Sequence, residues 1–482
     1  MLFNSYEFVF LLLPLTLLVW YGLNHFRLYA AAKVSLVISS LIFYAYFNWS
    51  YLPILLGSVL INYLFGRILI SDAPKAARRL VVWLGVLANL GVLGYFKYFD
   101  FFLQNLNLVF RADFTLRHIV LPLGISFFTF QQLSYVIDCY KRTVPRYNFL
   151  DYALFVSFFP QLVAGPIVLH SEIVPQFADV SKKSFQSDSF SRGVTAFAFG
   201  LAKKVLVADA LGMVVNAGFD AVSSLSGVEA WLTMLCYTMQ IYFDFSGYCD
   251  MATGIGRMFN VELPMNFNSP YKADDIVGFW KRWHITLTRF FTQYVYIPLG
   301  GNRKGTARTY LNIFIVFLVS GIWHGAGYTF ILWGVLHGVA NILCRAFKKP
   351  LGYLPKAVRW TANFAFLNLT WVIFRAPTMT DAAALYRRLG AGGLTLSAAL
   401  RKSLEKNILQ NLLMNFGIPQ SELVYIVLLL AAAVLLALLC RNTNERIERF
   451  RPTVRSAVVV IALLTVSVLS LSGVSTFLYF NF

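Results

Sequence analysis

Histidine is the residue in this chain best suited to acid–base chemistry, and His324 has the most unusual surroundings. An imidazole with a pKa near neutrality can take the proton of a hydroxyl group as its oxygen attacks a carbonyl carbon. His324 follows an uncharged run, residues 313–323, where a histidine is costly unless it faces a cavity or a partner. Gly321 and Gly325 have no side chains, so a substrate can approach closely. The pattern favours a general base, and the alternative is a hydrogen-bonded core histidine.

A second histidine, His284, lies among cations. Lys281, Arg282 and Arg289 surround it and predict contact with a polyanionic acyl donor, such as a coenzyme A thioester. His284 would then assist at the carbonyl of that donor. The alternative is a basic, aromatic helix that lies at a membrane interface and has no catalytic role.

The third histidine of this stretch is His337. It follows His324 by thirteen residues, which is about 220° around a continuous helix, so the two would not share a face. Packing, or lining of a substrate tunnel together with Trp323, is therefore expected of His337. No acidic side chain accompanies these histidines, so a three-histidine metal site is not expected. Two carboxylates further upstream, Asp244 and Asp250, are expected to have structural hydrogen bonds.

Composition indicates an all-α protein that crosses a membrane several times. Hydrophobic residues make up 58% of the 482 residues and charged residues 13%, against about 25% charged in soluble proteins. The net charge is +19, but the cations lie in short loops between apolar runs, which favours the positive-inside rule over nucleic-acid binding. The five cysteines are scattered and predict neither a disulfide framework nor a zinc site.

The apolar runs predict about twelve membrane segments. The first, residues 8–23, is expected to be retained as a span. Two others, residues 120–137 and 152–169, contain proline and glycine and are expected to be broken or re-entrant helices that line a cavity. Residues 99–110 are expected to lie in the interface as a separate short segment. The positive-inside rule predicts four loops in the cytoplasm, at residues 25–33, 71–80, 348–359 and 441–455. Loop 376–421 and both termini are expected on the outer side of the membrane.

Several segments together resemble the membrane-bound O-acyltransferases of bacteria, in the branch that acetylates alginate and peptidoglycan. The segments are MLFNSYEFVF, FPQLVAGPI, YFDFSGYCDMATGIGRMFN, NFNSPY, FWKRWH, YIPLGGNR and SGIWHGAGYTFILWGVLHG. The resemblance implies a ring of tilted helices with a funnel from each side, meeting at a catalytic histidine that corresponds to His324. The second family position corresponds to His284. Where the branch usually has an Arg-Asp pair, this chain has Thr292 and Gln293.

The resemblance also implies a function. The chain is expected to be a single integral-membrane domain, residues 1–482, with its catalytic core at about 119–345. It would move an acetyl group from a cytoplasmic donor, expected to be acetyl-CoA, toward an extracytoplasmic envelope polysaccharide in the bacterial inner membrane, with no bound cofactor. A separate outer-face SGNH-type enzyme is the expected partner. The alternatives are acylation of a lipid or a protein, and a secondary transporter, although no internal repeat is visible.

The chain ends in the aromatic sequence STFLYFNF, after a last span that begins near residue 456. One interpretation is an aromatic belt at the membrane interface. The other follows from a resemblance to the C-terminal motif of the small subunit in teichoic acid D-alanylation systems. By that resemblance, the hydroxyl of Tyr479 would take the acyl group at His324 and present it outside.

Overall fold

The computed structural model describes residues 1–404, 421–471 and 477–478, and every regular element within these ranges is a helix. Five stretches in the described ranges are long and apolar enough to cross a membrane. They are Phe8–His25, Trp49–Ile70, Lys75–Phe110, Gly305–His324 and Tyr328–Ala346. The all-helical, multi-pass class is therefore confirmed, whereas the number of twelve membrane segments stays a prediction.

The chain forms two compact units. Unit 1 comprises Met1–Phe197 and Met251–Pro264, and unit 2 comprises Ala198–Asp250 and Met265–Phe482. In chain order, the helices up to the end of unit 1's first segment are α1 (Leu13–His25), α2 (Tyr29–Ala45), α3 (Leu52–Ile70), α4 (Lys75–Phe110), α5 (Ile125–Tyr140), α6 (Phe149–Ser157), α7 (Phe159–Leu162), α8 (His170–Ala178) and α9 (Ser187–Ala202).

The later helices carry most of the residues singled out in the sequence. They are α10 (Asp209–Asp220), α11 (Gly227–Met258), α12 (Ile276–Trp280), α13 (Ile285–Phe291), α14 (Gly305–His324), α15 (Tyr328–Ala346), α16 (Lys348–Gly352), α17 (Lys356–Arg375), α18 (Met379–Leu389), α19 (Ala398–Leu404), α20 (Glu422–Leu438), α21 (Thr443–Glu448) and α22 (Val454–Leu469). Single turns of π-helix occur at Phe8–Leu12, Lys203–Ala208 and Thr292–Tyr296.

The expected break between a span ending near residue 96 and a separate segment at 99–110 is absent, because α4 runs through it. Lys97 interrupts the apolar run but has a good helix propensity, and the helix also continues through Gly94, three residues earlier, with no proline nearby. A helix of 36 residues is about 54 Å long, which exceeds the hydrocarbon thickness of a bilayer. The charge of Lys97 therefore interrupts the apolar pattern of the sequence but not helix α4, so the prediction of a separate segment was wrong.

The two broken segments occur where proline and glycine predicted them. Gly124 has a φ of 72° and immediately precedes α5, and a Cβ there would meet the carbonyl oxygen of Leu162 at 2.7 Å. Glycine is therefore required both by its left-handed conformation and by the close approach of a second backbone segment. The other segment divides into α6 and the short α7, followed by residues 163–169 without helix. Both breaks lie in the interior of unit 1.

In unit 2, small residues allow α14 and α15 to pack closely. A Cβ on Gly321 would lie 2.5 Å from the carbonyl oxygen of Phe330 and 3.0 Å from the Cα of Gly334. Helices that meet through small residues in a membrane gain dispersion contacts along both backbones. This packing fixes the end of α14, and His324 is the last residue of that helix.

Candidate active site

His324 lies in an aromatic pocket at the end of α14. Its side chain is buried, and the imidazole packs against the rings of Trp323, Trp333 and Phe374, with centroid distances of 4.9, 5.2 and 5.2 Å. The chain turns directly after it at Gly325, where a Cβ would overlap the ring of Phe330. Gly325 was predicted to let a substrate approach closely; in the structure the ring of Phe330 occupies the space that a side chain there would need. The aromatic walls exclude water around the imidazole and limit its orientation.

His284 is held in a strained conformation directly before α13. Its φ of 45° and ψ of 52° lie in the left-handed region, which costs a non-glycine residue about 1–3 kcal/mol. The side chain is 1% exposed, and its ring lies 4.8 Å from that of Phe245. Such strain persists only where surrounding contacts impose it, and it concentrates at functional sites.

Asn266 is the residue that imposes this position. Its Oδ1 accepts hydrogen bonds from the backbone N–H of Thr286 at 3.2 Å and from the Thr286 hydroxyl at 2.9 Å. Because this oxygen is an acceptor, the contact of 3.2 Å between it and His284 Nδ1 requires a proton on Nδ1. The ring is therefore the Nδ1–H tautomer, and Nε2 is its acceptor nitrogen.

Burial also keeps His284 uncharged. Desolvation lowers the pKa of its imidazole to about 3 from an ordinary value of 6.5, because an interior without water disfavours the cationic form. A neutral Nδ1–H imidazole can accept a hydrogen bond through Nε2 but cannot donate one there. His284 is therefore better suited to accept a hydrogen bond from an N–H group of the acyl donor than to stabilise a developing oxyanion.

Trp323 joins the two histidines. Its ring centroid lies 4.9 Å from that of His324 and 6.3 Å from that of His284. Two imidazoles that are 40 residues apart in sequence thus contact one indole. Trp323 was expected to line the substrate path; in the structure it is buried, at 4% exposure, and is absent from the lining of the cavity described below.

His337 has partners on both ring nitrogens. Nδ1 accepts from the indole N–H of Trp280 at 3.2 Å, so Nε2 carries the proton and donates to the Thr370 hydroxyl at 3.1 Å. The ring packs among aromatic side chains, including Trp333 at 4.6 Å. These contacts give His337 a structural role in joining α12, α15 and α17. No metal-binding group of three His, Cys, Asp or Glu side chains occurs in the part of the chain that the structure describes.

A cavity of about 330 Å³ lies beside this site in unit 2. Its lining is apolar in the middle, and two cations, Lys281 and Arg345, lie on its wall. Ser320, one helical turn before His324, also lines it. The full lining consists of Val277, Trp280, Lys281, Leu287, Thr288, Phe291, Thr292, Tyr296, Ile313, Val316, Phe317, Ser320, Asn341 and Arg345. The cavity offers an apolar channel for an acyl chain or thioester arm and positive charge for an anion.

The predicted donor contacts separate into those on this cavity and those away from it. Lys281 lines it, whereas Arg282 reaches the carbonyl oxygen of Asn268 at 3.4 Å and Arg289, in the last turn of α13, is absent from the lining. Arg345 and Asn341, which sequence reasoning missed, line the cavity and share a hydrogen bond of 2.9 Å. A signal was present, since Arg345 follows His337 by eight residues and falls near the same face of a helix.

Two residues near the end of the chain, Phe477 and Leu478, lie in the interior of unit 2. Phe477 packs against Tyr248 at 4.8 Å and against Phe245 at 5.5 Å, and Phe245 in turn contacts His284. The backbone N–H of Leu478 donates to Asp244 Oδ2 at 3.0 Å. Both residues are buried, at 2% and 9% exposure. Tyr479 itself lies outside the described residues.

Asp244 belongs to a buried set of charges. Lys204, in the π-helical turn after α9, binds Asp244 Oδ1 at 2.6 Å and Asp209 Oδ1 at 2.8 Å. A neighbouring pair joins Lys203 to Asp250 at 2.6 Å, and Asp250 also accepts a hydrogen bond from Thr443. The structural role expected of both carboxylates is consistent with these contacts. Asp244 additionally anchors the backbone of the tail.

Comparison with known proteins shows the family of this chain. The family model of the membrane-bound O-acyltransferases, MBOAT, matches residues 4–376. The peptidoglycan O-acetyltransferase of Helicobacter pylori is 41% identical over all of this chain and 98% of its own length. The probable alginate O-acetylase AlgI of Pseudomonas aeruginosa is 40% identical over 82% of this chain and 75% of its own. The teichoic acid D-alanyltransferase of Bacillus subtilis is 27% identical over 51% of this chain and 65% of its own. The chain therefore belongs to the membrane-bound O-acyltransferase family and is an acyltransferase.

Proposed function

We propose that this enzyme moves an acetyl group from a cytoplasmic thioester donor toward an extracytoplasmic polysaccharide of the cell envelope. The observation that carries the proposal is the pair His284 and His324, both near the ring of Trp323. A cavity with cations on its wall is lined by Ser320 and Thr288 of the same two helical segments. The names of the relatives, peptidoglycan O-acetyltransferase and alginate O-acetylase, support a polysaccharide as the final acceptor. The enzyme would lie in the bacterial inner membrane with both termini outside.

In this mechanism His324 acts as the general base. It takes the proton of an acceptor hydroxyl, the hydroxyl oxygen bonds to the acetyl carbon, and the carbon–sulfur bond of the thioester breaks. The thiolate leaves and takes up the proton from His324, which restores the neutral base. His284 acts on the donor, since its Nε2 accepts a hydrogen bond from an amide N–H of the donor arm and so orients the thioester.

The donor is acetyl-CoA, and the cavity of about 330 Å³ receives its arm. Lys281 and Arg345 bind its phosphate groups, which form charge-assisted hydrogen bonds with cations. The test measures transfer from labelled acetyl-CoA by Lys281→Gln and Arg345→Gln proteins in vesicles. Each change is expected to raise KM about fivefold and to leave kcat within about twofold, because solvent-exposed charge contacts are worth about 1 kcal/mol.

Arg289→Gln is the matched control, since it removes one charge from the same stretch without touching the cavity lining. An equal rise in KM for all three variants would mean that general electrostatic attraction, and not this cavity, binds the donor. Unchanged KM for Lys281→Gln and Arg345→Gln would exclude the cavity as the donor site.

Tyr479 is the acceptor hydroxyl of the first transfer in this scheme. The buried positions of Phe477 and Leu478, with Phe477 one ring away from His284, support a tail that enters the site. The Tyr479 oxygen would take the acetyl group as an ester and pass it to the nucleophile of an outer-face SGNH-type partner, which regenerates the phenol. Tyr479→Phe is expected to abolish delivery to the polymer, while Phe480→Leu, its neighbour, retains it. Normal delivery by Tyr479→Phe, with no acetyl on Tyr479 in trapped wild-type protein, would exclude the relay.

A further inference from the structure

A second cavity, of about 200 Å³, lies in unit 1 and has no part in the acyl transfer described above. Arg67 and Arg146 line it, together with Ile70, Ser71, Tyr135 and Tyr147. Its lining contains two guanidinium groups and no carboxylate. A concave site with two such groups favours an anion, because each guanidinium can donate two parallel hydrogen bonds to one phosphate.

Carboxylates of unit 1 that lie in or beside the segments forming the cavity have other cationic partners, and Asp151 pairs with Lys33 at 2.5 Å. Asp72 lies 3.9 Å from Arg142, and Asp138 lies 3.7 Å from Lys141 and 3.4 Å from the imidazole of His170. Neither Arg67 nor Arg146 has a salt bridge in the described residues. The positive charge of the cavity is therefore not neutralised by its own unit.

Hydrogen bonds and packing hold the walls of the cavity in place. The Tyr147 hydroxyl contacts His170 Nδ1 at 3.1 Å, and His170 Nε2 contacts Asp138, which forms a chain of three side chains behind the cavity. Tyr135 stacks near Tyr147 at 6.4 Å and lies against Gly66, where a Cβ would come within 2.5 Å of its hydroxyl. The cavity is thus formed before any ligand arrives, which reduces the entropic cost of binding.

Arg78 of α4 and Arg142 of the loop after α5 join the chain segments beside this cavity. Arg78 donates to the carbonyl oxygens of Leu69 and Tyr140 at 2.8 and 2.7 Å, and Arg142 donates to that of Ser71 at 3.3 Å. These bonds join the loop after α3 to the loop after α5. The positive-inside rule predicts that this end of unit 1 faces the cytoplasm. The cytoplasmic leaflet carries anionic lipids, and basic pockets between helices bind their headgroups.

The helix that carries Arg67 also offers an apolar surface for lipid chains. Leu64 and Ile68, on α3 beside Arg67, are 51% and 42% exposed. α3 belongs to the stretches that are long and apolar enough to span a membrane. A lipid whose phosphate is held by Arg67 would therefore place its acyl chains along this apolar face. A free phosphate ion has no acyl chains and would make no use of that face.

We propose that this cavity binds the phosphate of an anionic lipid headgroup, with Arg67 and Arg146 as its ligands. The site is separate from the catalytic residues, and the proposal does not depend on which polymer is acetylated. A phosphatidylglycerol molecule is the natural probe, because it carries one phosphodiester and a single negative charge.

Native mass spectrometry of the full chain in detergent, titrated with phosphatidylglycerol, tests the proposal. The Arg67→Gln/Arg146→Gln double variant is expected to weaken the tightest bound lipid about thirtyfold, since a basic side chain near a lipid surface contributes about fivefold. Lys75→Gln/Arg79→Gln is the matched control, because it removes the same charge from the neighbouring loop and leaves the lining intact. The control is expected to bind as the wild type does.

The outcomes separate the alternatives. Equal weakening in both double variants would mean diffuse attraction to the basic loops and would overturn the proposal. No weakening in Arg67→Gln/Arg146→Gln would overturn it as well. Displacement of the lipid by an equal concentration of inorganic phosphate would show a site for free phosphate instead. Retention of the wild-type melting temperature by both variants in lipid-free zwitterionic detergent establishes that the comparison concerns folded protein.

Discussion

At the scale of residues, the proposed mechanism depends on how neighbouring groups fix two imidazoles. His324 is oriented by aromatic walls, whereas His284 is oriented by one amide oxygen that accepts hydrogen bonds from three directions. A supporting residue of this kind affects activity through the group it holds, and its loss typically costs one to two orders of magnitude. Asn266 is thus a positioning residue and not a reacting one.

Asn266→Ala is expected to lower the rate of acyl transfer about 10- to 100-fold, because His284 would lose its tautomer-fixing partner. Asn268→Ala provides the control, since Asn268 lies in the same loop and its side chain contacts Asn442 and not a histidine. Initial rates of acetyl transfer, with melting temperatures measured in parallel, distinguish the two. Equal losses of activity in both variants would mean that the loop matters only for folding.

Sequence reasoning found both imidazoles but not this amide. His324 stands out because it ends an uncharged run, and His284 because cations surround it. Asn266 lies 18 residues before His284, across a segment largely without helix, so no periodicity predicts their contact. The left-handed conformation of His284 is equally invisible in the sequence, because tertiary contacts impose it.

At the scale of elements, the packing of α14 on α15 sets the position of His324. Gly321 and Gly334 meet with almost no space between their backbones. Proline and glycine also determine the broken segments near residues 124 and 160, which is why local sequence predicted those breaks. The end of α4 could not be predicted in this way, since Lys97 changes hydropathy without changing helix propensity.

Gly321→Ala is expected to destabilise the protein by about 1–3 kcal/mol and to lower activity, because its Cβ would lie 2.5 Å from the carbonyl oxygen of Phe330. Gly57→Ala is the matched change, since a Cβ on that helical glycine of α3 meets nothing within 4 Å. It is expected to be neutral or slightly stabilising, by up to about 1 kcal/mol. Thermal unfolding in one detergent measures both, and equal melting temperatures would contradict the packing argument.

At the scale of the whole molecule, composition and charge predict a membrane protein but not the complete path of its chain. Rules of length and hydropathy identify the long apolar helices, while short broken helices and segments with buried ions escape them. The buried position of the tail also depends on a contact between residues 234 apart, Leu478 and Asp244. Such a contact becomes visible only when the fold brings the two segments together.

The distribution of cations predicts the orientation of the chain. On a cysteine-free background, Leu394→Cys in loop 376–421 is expected to react with an impermeant maleimide in intact cells, because the positive-inside rule predicts that this loop lies outside. Arg449→Cys, in the basic loop 441–455, is expected to react only after the membrane is opened. Labelling of both positions, or of Arg449→Cys alone, in intact cells would contradict the orientation.

The most direct test of the central claim is the single-turnover rate of acetyl transfer by His324→Ala. Loss of a general base is expected to lower this rate about 10²- to 10⁴-fold while acetyl-CoA still binds and the protein still inserts. His337→Gln serves as the control, because His337 has hydrogen bonds on both ring nitrogens and is not itself part of the cavity lining. It is expected to keep most of the rate per folded molecule. A His324→Ala protein that transfers acetyl at a rate near that of the wild type would show that His324 is not the base.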